Sequence, residues 1–247
     1  MRKFGLIGYP LSHSFSKKYF ADKFEKEDIL ATEYELYPIA SIKELPDLIK
    51  TNSNLIGLNV TIPYKEQVIP YLDEIDPTAE AIGAVNTITI KNGKLKGYNT
   101  DYDGFKRSLV KWIGAKPMPE KALILGTGGA SKAVKAALDD LKIQCQFVSR
   151  KPGNDQLSYE DINTSHHHLI NSSLIINTSP IGMSPDTTSF PDIPYDQLTE
   201  SHLLFDLVYN PLITAFIQKG IDKNCWVKNG LEMLHGQAEK AWEIWNK

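Results

Sequence analysis

The stretch Lys121-Ala122-Leu123-Ile124-Leu125-Gly126-Thr127-Gly128-Gly129-Ala130-Ser131 reads as a strand, a glycine turn and the opening of a helix. A helix over Ser131–Leu141 and a second strand over Gln144–Ser149 follow. Strand, helix and strand at this spacing predict a βαβ unit, and therefore an α/β fold with a mainly parallel sheet. The loop has the chemistry of a phosphate cradle. Glycine lets the backbone turn tightly and approach a pyrophosphate, and the helix N-terminus offers free N–H groups and partial positive charge. Ser131 stands where the usual pattern has a third glycine, and a plain tight turn is the alternative reading. The next strand ends at Ser149-Arg150-Lys151. An NAD enzyme carries an acid there for the ribose 2′-hydroxyl, whereas two cations suit a 2′-phosphate. A solvated strand end is the competing explanation of the two cations.

Outward from this unit, short apolar strands alternate with amphipathic helices. Toward the N-terminus the pattern predicts strands at Lys3–Gly8, Glu33–Ile39 and Leu55–Thr61, with helices at Phe15–Lys26, Ile42–Lys50, Tyr64–Leu72 and Thr78–Ile82. Val85–Lys91 and Lys94–Tyr98 flank Asn92-Gly93, a strong hairpin signal because both residues tolerate positive φ. The first sheet is thus expected to be mixed. Two prolines in Gly114–Pro119 mark a loop where the composition shifts. Toward the C-terminus come strands at Leu174–Asn177, Leu203–Leu207 and Cys225–Val227 and a helix at Leu212–Lys219. A last helix at Leu231–Trp245 carries Leu231, Leu234, Ala238, Ala241, Trp242 and Trp245 on one side.

Composition narrows the classes. The 247 residues are 42% hydrophobic and 23% charged, which suits a folded chain with a proper core. A formal charge of −3 offers no basic footprint for nucleic acid. No apolar run approaches the length needed to span a bilayer. Met1–Gly8 reads as a first strand, since Gly8-Tyr9-Pro10 comes too soon for an export signal. Cys145 and Cys225 are expected as reduced thiols and the cytoplasm as the compartment. His166-His167-His168 has no carboxylate or cysteine cluster beside it, so a solvated face is expected and no metal.

Polar residues recur at strand ends. Ser14 and Ser16 follow the first strand, Thr61 and Lys65 the third, and Asn86 and Asn99-Thr100-Asp101 flank the hairpin. Each has a bland explanation: Ser14, Ser16 or Asp101 can cap a helix, and Lys65 can be a surface lysine. Their recurrence favours a ligand crevice, because in an α/β sheet the crevice forms at the carboxyl ends of strands.

The segments Gly8–Ser16, Asn59–Lys65, Gly83–Thr87, Asn99–Gly104, Gly126–Ala130, Asn177–Met183, Asp206–Leu212 and Gly230–Ala238 together make the chain resemble the shikimate dehydrogenases. The resemblance runs nearly end to end. It implies two α/β domains: a substrate domain at 1–102 plus 230–247, with the C-terminal helix returning to it, and a Rossmann-like NADP-binding domain at 103–229. It implies that Ser14, Ser16, Thr61, Asn86, Asp101 and Gln237 hydrogen-bond shikimate, with Tyr209 beside it. The cofactor would meet Gly126, Thr127, Gly128, Gly129, Ala130, Ser149, Arg150, Lys151 and Thr178, with Leu207 and Gly230 near the nicotinamide. Lys65 and Asp101 would be the catalytic pair in the reversible NADPH-dependent reduction of 3-dehydroshikimate. Lys17 replaces a proline usual in the family, and Ser149-Arg150-Lys151 replaces a common Asn-Arg-Thr. A monomer or homodimer is expected. A quinate/shikimate dehydrogenase and a non-catalytic ligand sensor are the alternatives; retention of Lys65 and Asp101 speaks against the sensor.

Overall fold

The computed structural model describes residues 1–11 and 14–247; Ser12 and His13 of the first polar segment lie outside the described residues. The chain forms two compact units, one of Met1–Thr100 with Ala238–Lys247 and one of Asp101–Gln237. Both are α/β, as the strand and helix alternation predicts.

The first unit runs β1 (Arg2–Gly8), α1 (Phe15–Lys26), β2 (Thr32–Pro38), α2 (Leu45–Thr51), β3 (Leu55–Val60), β4 (Glu74–Ile75), α3 (Pro77–Ile82), β5 (Thr87–Lys91) and β6 (Lys94–Tyr98). Its sheet has the order β2-β1-β3-β5-β6-β4. β1 is parallel to β2 and β3, whereas β5 is antiparallel to β3 and β6, so the sheet is mixed as expected. Asn92 and Gly93 take φ of 53° and 76°, the paired positive values that a tight hairpin requires.

The second unit contains α4 (Thr100–Ile113), β7 (Lys121–Leu125), α5 (Gly129–Asp140), β8 (Gln144–Ser149), β9 (Leu157–Ser158), α6 (Tyr159–Thr164), α7 (His167–Ile170), β10 (Leu174–Asn177), β11 (Leu203–Asp206), α8 (Ala215–Ile221), β12 (Trp226–Lys228) and the start of α9 (Leu231–Trp245). Its sheet, β12-β11-β10-β7-β8-β9, is parallel throughout. This is the doubly wound arrangement in which strand ends present a ligand site. The buried runs Ala122–Leu125 and Leu174–Asn177 fit strands covered on both faces.

α9 serves two cores. Met233 is buried with Phe105, Leu109 and Phe205 in the second unit. Ala238, Ala241 and Trp245 are buried with Phe4, Phe20 and Tyr34 in the first. Trp245 stacks on Phe4 at 4.7 Å between ring centroids and donates its indole N–H to the carbonyl of Ile88 at 2.9 Å. A side chain on Gly57 would collide with the same indole, so glycine there makes room for it. An aromatic so buried and hydrogen-bonded holds the tail helix to the sheet; truncating it to alanine is worth about 3–5 kcal/mol.

Three expected elements differ. Tyr64–Leu72 is not an α-helix: turns lead into a short 3-10 helix at Ile69–Tyr71. Pro70 lacks the N–H that a helix interior needs and restricts the residue before it. Tyr64 is instead buried with its hydroxyl donating to the carbonyl of Ile39 at 2.7 Å. Ile42–Lys50 divides into a 3-10 turn capped by Ser41 and the helix α2. Leu212–Lys219 yields a helix only from Ala215, because Thr214 caps it by accepting from the Ile217 N–H at 3.2 Å. Among the described residues no helix is long and apolar enough to cross a membrane, and no group of three or more His, Cys, Asp or Glu could hold a metal. Cys145 and Cys225 are free thiols.

Candidate active site

In the first unit the backbone ladder gathers the polar residues at the ends of β1, β3 and β6. Thr61 donates its N–H to Ile7, Val60 to Asn86, Asn86 to Tyr98 and Val85 to Lys65, all at 2.7–3.0 Å. Thr61, Lys65, Asn86 and Thr100 are thereby placed on neighbouring strand ends by main-chain bonds alone. Thr61 and Lys65 are half-buried and Asn86 is buried.

Side chains complete a buried polar net. Tyr34 donates its hydroxyl to Asn59 Oδ1 at 2.8 Å. Asn59 Nδ2 donates to the Asn86 carbonyl at 3.3 Å and to Thr87 Oγ1 at 3.2 Å. Asn86 Oδ1 accepts from the Thr100 N–H at 2.7 Å and from the hydroxyls of Thr100 and Thr87. Asn99 donates to the carbonyl of Ala84 at 2.9 Å. Ser16 hydrogen-bonds the Tyr34 hydroxyl, and burial pushes the titration of Tyr34 far upward, so it stays a neutral donor.

Two atoms in this neighbourhood break the rule that buried polar groups are paired. Ser14 Oγ and Asn86 Nδ2 are buried with no hydrogen-bond partner among the described residues. Such groups cost roughly 1–3 kcal/mol each when left unmet. The capping explanation of Ser14 fails: it occupies the N-cap of α1, yet its side chain makes no cap hydrogen bond. A hydroxyl and an amide N–H held ready in a saturated net suit an incoming carboxylate and hydroxyls.

Asp101 follows Thr100 by one peptide bond and lies in the first turn of α4, where a carboxylate is favoured by the helix end. It is buried at 7% exposure. Tyr209 and Gln237 are half-buried residues of the second unit.

The nucleotide loop follows β7. Gly126 has φ of 115° and donates its N–H to Val148 at 2.9 Å. A Cβ there would come within 2.9 Å of Thr178 Oγ1, so conformation and space both require glycine. Thr178 in turn donates both its N–H and its hydroxyl to the Leu125 carbonyl, at 3.0 and 2.9 Å. Gly128 is different. Its φ of −76° suits any residue, and a Cβ there would meet nothing within 4 Å. No protein atom demands a glycine at 128; open space in front of a helix N-terminus does, if a phosphate is to reach the backbone. α5 has no side-chain cap and no acid in its first turn, which leaves that end receptive to an anion. Ser131 is buried and returns its hydroxyl to the Gly128 carbonyl at 2.6 Å, which explains how serine serves in place of glycine. Thr127 is exposed, whereas Gly129 and Ala130 are half-buried in the first turn of α5.

At the end of β8, Ser149 is buried and accepts from the Lys151 N–H at 3.2 Å. Arg150 and Lys151 are exposed. Arg150 lies close enough to Tyr159 to act on its titration electrostatically. These residues suit a phosphorylated dinucleotide: a helix end with no acid in its first turn, and two cations at the end of β8.

Beyond β10 and β11 the sequence pattern singled out Thr178, Leu207 and Gly230. A side chain on Gly230 would collide with the carbonyl of Leu207, so here glycine is demanded by the protein itself. Leu207 donates its N–H to the Asn177 carbonyl at 2.9 Å. Asn59, Tyr34 and Asp206 have no role in the sequence reading. A lone amide in the apolar run Leu55–Val60 and a lone acid ending Leu203–Asp206 are the signals that mark two of them.

Comparison with known proteins bears on both units. Residues 6–88 match the family model described as the shikimate dehydrogenase substrate binding domain. A shikimate dehydrogenase (NADP(+)) of Halothermothrix orenii is 39% identical over 98% of this chain and 89% of its own length. A shikimate 5-dehydrogenase of Thermus thermophilus, solved with NADP(H) and shikimate, superposes with a TM-score of 0.85 at 31% identity, covering 99% of this chain and 93% of that one. A quinate dehydrogenase of Corynebacterium glutamicum, solved with NAD, superposes with a TM-score of 0.87 at 25% identity over 99% of this chain and 93% of that one.

Proposed function

The chain belongs to the shikimate dehydrogenase family, and from that premise we propose that Lys65 and Asp101 are its catalytic pair. The protein is an NADP-dependent oxidoreductase of the shikimate pathway that interconverts 3-dehydroshikimate and shikimate.

We assign the ring carboxylate and hydroxyls to Ser14, Ser16, Thr61, Asn86, Asp101 and Gln237, with Tyr209 alongside. The observation that carries this is the pair of buried, unmet atoms, Ser14 Oγ and Asn86 Nδ2. Buried polar groups are normally paired, so these two unmet atoms offer hydrogen-bond partners to a ligand. The substrate is a polyhydroxylated acid, which needs this density of short polar side chains.

The bound nicotinamide supplies the hydride. The remaining work falls to this chain. As the ketone becomes an alkoxide, the Lys65 ammonium stabilises the charge and donates the proton; in the reverse direction it withdraws it. Asp101 accepts a hydrogen bond from a substrate hydroxyl and holds the Lys65 side chain in place. Gly126, Thr127, Gly128, Gly129 and Ala130 cradle the pyrophosphate with N–H groups. Arg150, backed by Ser149 and Lys151, takes the 2′-phosphate. Thr178, Leu207 and Gly230 form the floor for the nicotinamide. Substrate recognition then lies mainly in 1–102 plus 230–247 and cofactor recognition in 103–229. Two free thiols suit the cytoplasm as its location.

The deciding experiment is shikimate-dependent reduction of NADP⁺, run beside NAD⁺ and with quinate beside shikimate. Efficient turnover of shikimate with NADP⁺ and weak turnover of the other pairs is expected. Comparable turnover of quinate would make this a quinate/shikimate dehydrogenase instead, and no turnover of either acid would make it a ligand-binding relative.

A further inference from the structure

We propose that Asp206 is a positioning residue for the cofactor: its ionised carboxylate ties the end of β10 to the segment after β11 and so sets Thr178 and Leu207 in place. The proposal rests on the reading above that Thr178 and Leu207 meet the cofactor.

Asp206 is fully buried, with no ion pair among the described residues. Three donors converge on it instead. Asn177 Nδ2 and the Val208 N–H donate to Oδ1 at 2.9 and 3.0 Å, and the Thr214 hydroxyl donates to Oδ2 at 2.6 Å. Each donor anchors a different piece of the site. Asn177 precedes Thr178, and its Oδ1 accepts from the N–H and hydroxyl of Ser179 at 3.1 and 2.7 Å. Val208 follows Leu207. Thr214 caps α8 and closes the loop that carries Tyr209. One carboxylate therefore fixes both strand ends and the connection that follows them.

The site is built for the charged form. The Thr214 oxygen already accepts from the Ile217 N–H, so its proton is committed to Asp206. A proton on Oδ2 would leave two hydrogens facing each other or strand the Thr214 proton. Burial nevertheless raises the Asp206 carboxyl to about 6, against the pull of its three donors toward a lower value. Among the described residues the elements around it supply no ion pair to it. β10 contributes the neutral Asn177 and α8 contributes Thr214. The 3-10 turn Tyr195–Gln197 contributes Tyr195, which faces Asp206 electrostatically; it donates to the Pro191 carbonyl at 2.7 Å and titrates far above neutrality. Lys219 of α8 sits over the Tyr195 ring at 4.9 Å from its centroid.

The sign separates function from stability. A carboxyl whose folded value is raised binds its proton more tightly in the folded state, so acid strengthens the fold through this group as pH falls from 7 toward 4. Cofactor positioning runs the other way, being complete above 6 and lost below. A buried charge that works against the fold at neutral pH is retained for what it holds.

The test is kcat/KM for NADP⁺ at saturating shikimate from pH 5 to 8, with calorimetric shikimate binding to the cofactor-free protein as control. For the unmodified enzyme an acid limb with a midpoint near 6 is expected, and simple one-group titration makes kcat/KM about tenfold lower at pH 5 than at pH 7. Asp206→Asn should lower kcat/KM about tenfold at pH 7.5, abolish that limb and weaken shikimate binding by much less, since Tyr209 is the one assigned substrate residue in the connection it holds. Thr214→Val removes a donor that favours the ionised form, so the midpoint should move upward; Thr214→Ser should restore it. If Asp206→Asn does not fold, the Thr214 pair decides. An unmoved midpoint in Thr214→Val overturns the proposal, as does parallel loss of shikimate binding in the variants that fold. Shikimate turnover by the unmodified protein at pH 8, where Asp206 is ionised, tests the parent reading separately: no turnover there overturns the parent reading, whereas turnover without an acid limb overturns only the role of Asp206.

Discussion

In the proposed site the first unit offers its ligand a net of side chains, whereas the loop after β7 in the second unit offers backbone. Asn86 shares a net of hydrogen bonds with the side chains of Tyr34, Asn59, Thr87 and Thr100, and its Nδ2 is left unmet. Around Gly128 there is almost nothing: open space and a helix end. The difference follows from the ligands. A ring with several hydroxyls must be told from its near relatives, which takes individually placed donors and acceptors. A pyrophosphate needs only close approach of N–H groups, which bulk would obstruct. Residues of the first kind depend on one another; residues of the second kind act nearly alone.

The largest effect should come from the chemistry. Lys65→Ala and Asp101→Ala should each lower kcat by ~10²–10⁴-fold with a smaller change in KM for shikimate. Their double variant should be little worse than the poorer single one, because groups that act as a unit are not additive. Steady-state rates with NADP⁺ decide it; a Lys65→Ala enzyme with normal kcat and raised KM would reassign the lysine to binding.

Next comes discrimination within the side-chain site. Quinate adds a hydroxyl at the carbon bearing the carboxylate, which in the proposed site faces Ser14 and Ser16. An unmet buried hydroxyl costs roughly 1–3 kcal/mol, so shikimate should be preferred by about ten- to hundredfold in kcat/KM. Ser14→Ala should raise KM for shikimate without lowering the melting temperature, since its hydroxyl oxygen satisfies nothing in the free protein. A fall in melting temperature would mean that Ser14 is structural after all.

The backbone site should respond more gently. Arg150→Ala should reduce kcat/KM for NADP⁺ by about tenfold or more, because a charge-assisted bond to phosphate is worth roughly 1.5–3 kcal/mol, and should have little effect with NAD⁺. Equal losses with both cofactors would break the assignment. Gly128→Ala should raise KM for NADP⁺ about fivefold while changing stability by less than about 1 kcal/mol, because the Cβ meets only open space. A large loss of stability there would show that the glycine serves the fold and would remove the contrast between the two units.

What sequence reading reached, it reached through local physics. Alternating apolar runs, the Asn92-Gly93 turn and the glycine loop after β7 each have a meaning that a few neighbouring residues carry. Where local physics competes with distant contacts, it was insufficient. Tyr64–Leu72 has helical periodicity, but Pro70 and the reach of Tyr64 to Ile39 hold it in turns. The apolar side of α9 reads as one stripe, yet Met233 serves one core and Ala238, Ala241 and Trp245 another.

The sequence by itself determined the α/β class, the mixed and parallel characters of the two sheets, and which polar residues sit at strand ends. Only the tertiary structure decided what those residues are bonded to. It distinguished Gly230, pressed against Leu207, from Gly128, which faces nothing, and it placed Asp206 under three donors from three segments. The reason is range. Periodicity and turn chemistry act over a few residues, whereas the pairing of a buried polar atom depends on chain that is remote in sequence and brought near only by the folding of the sheet.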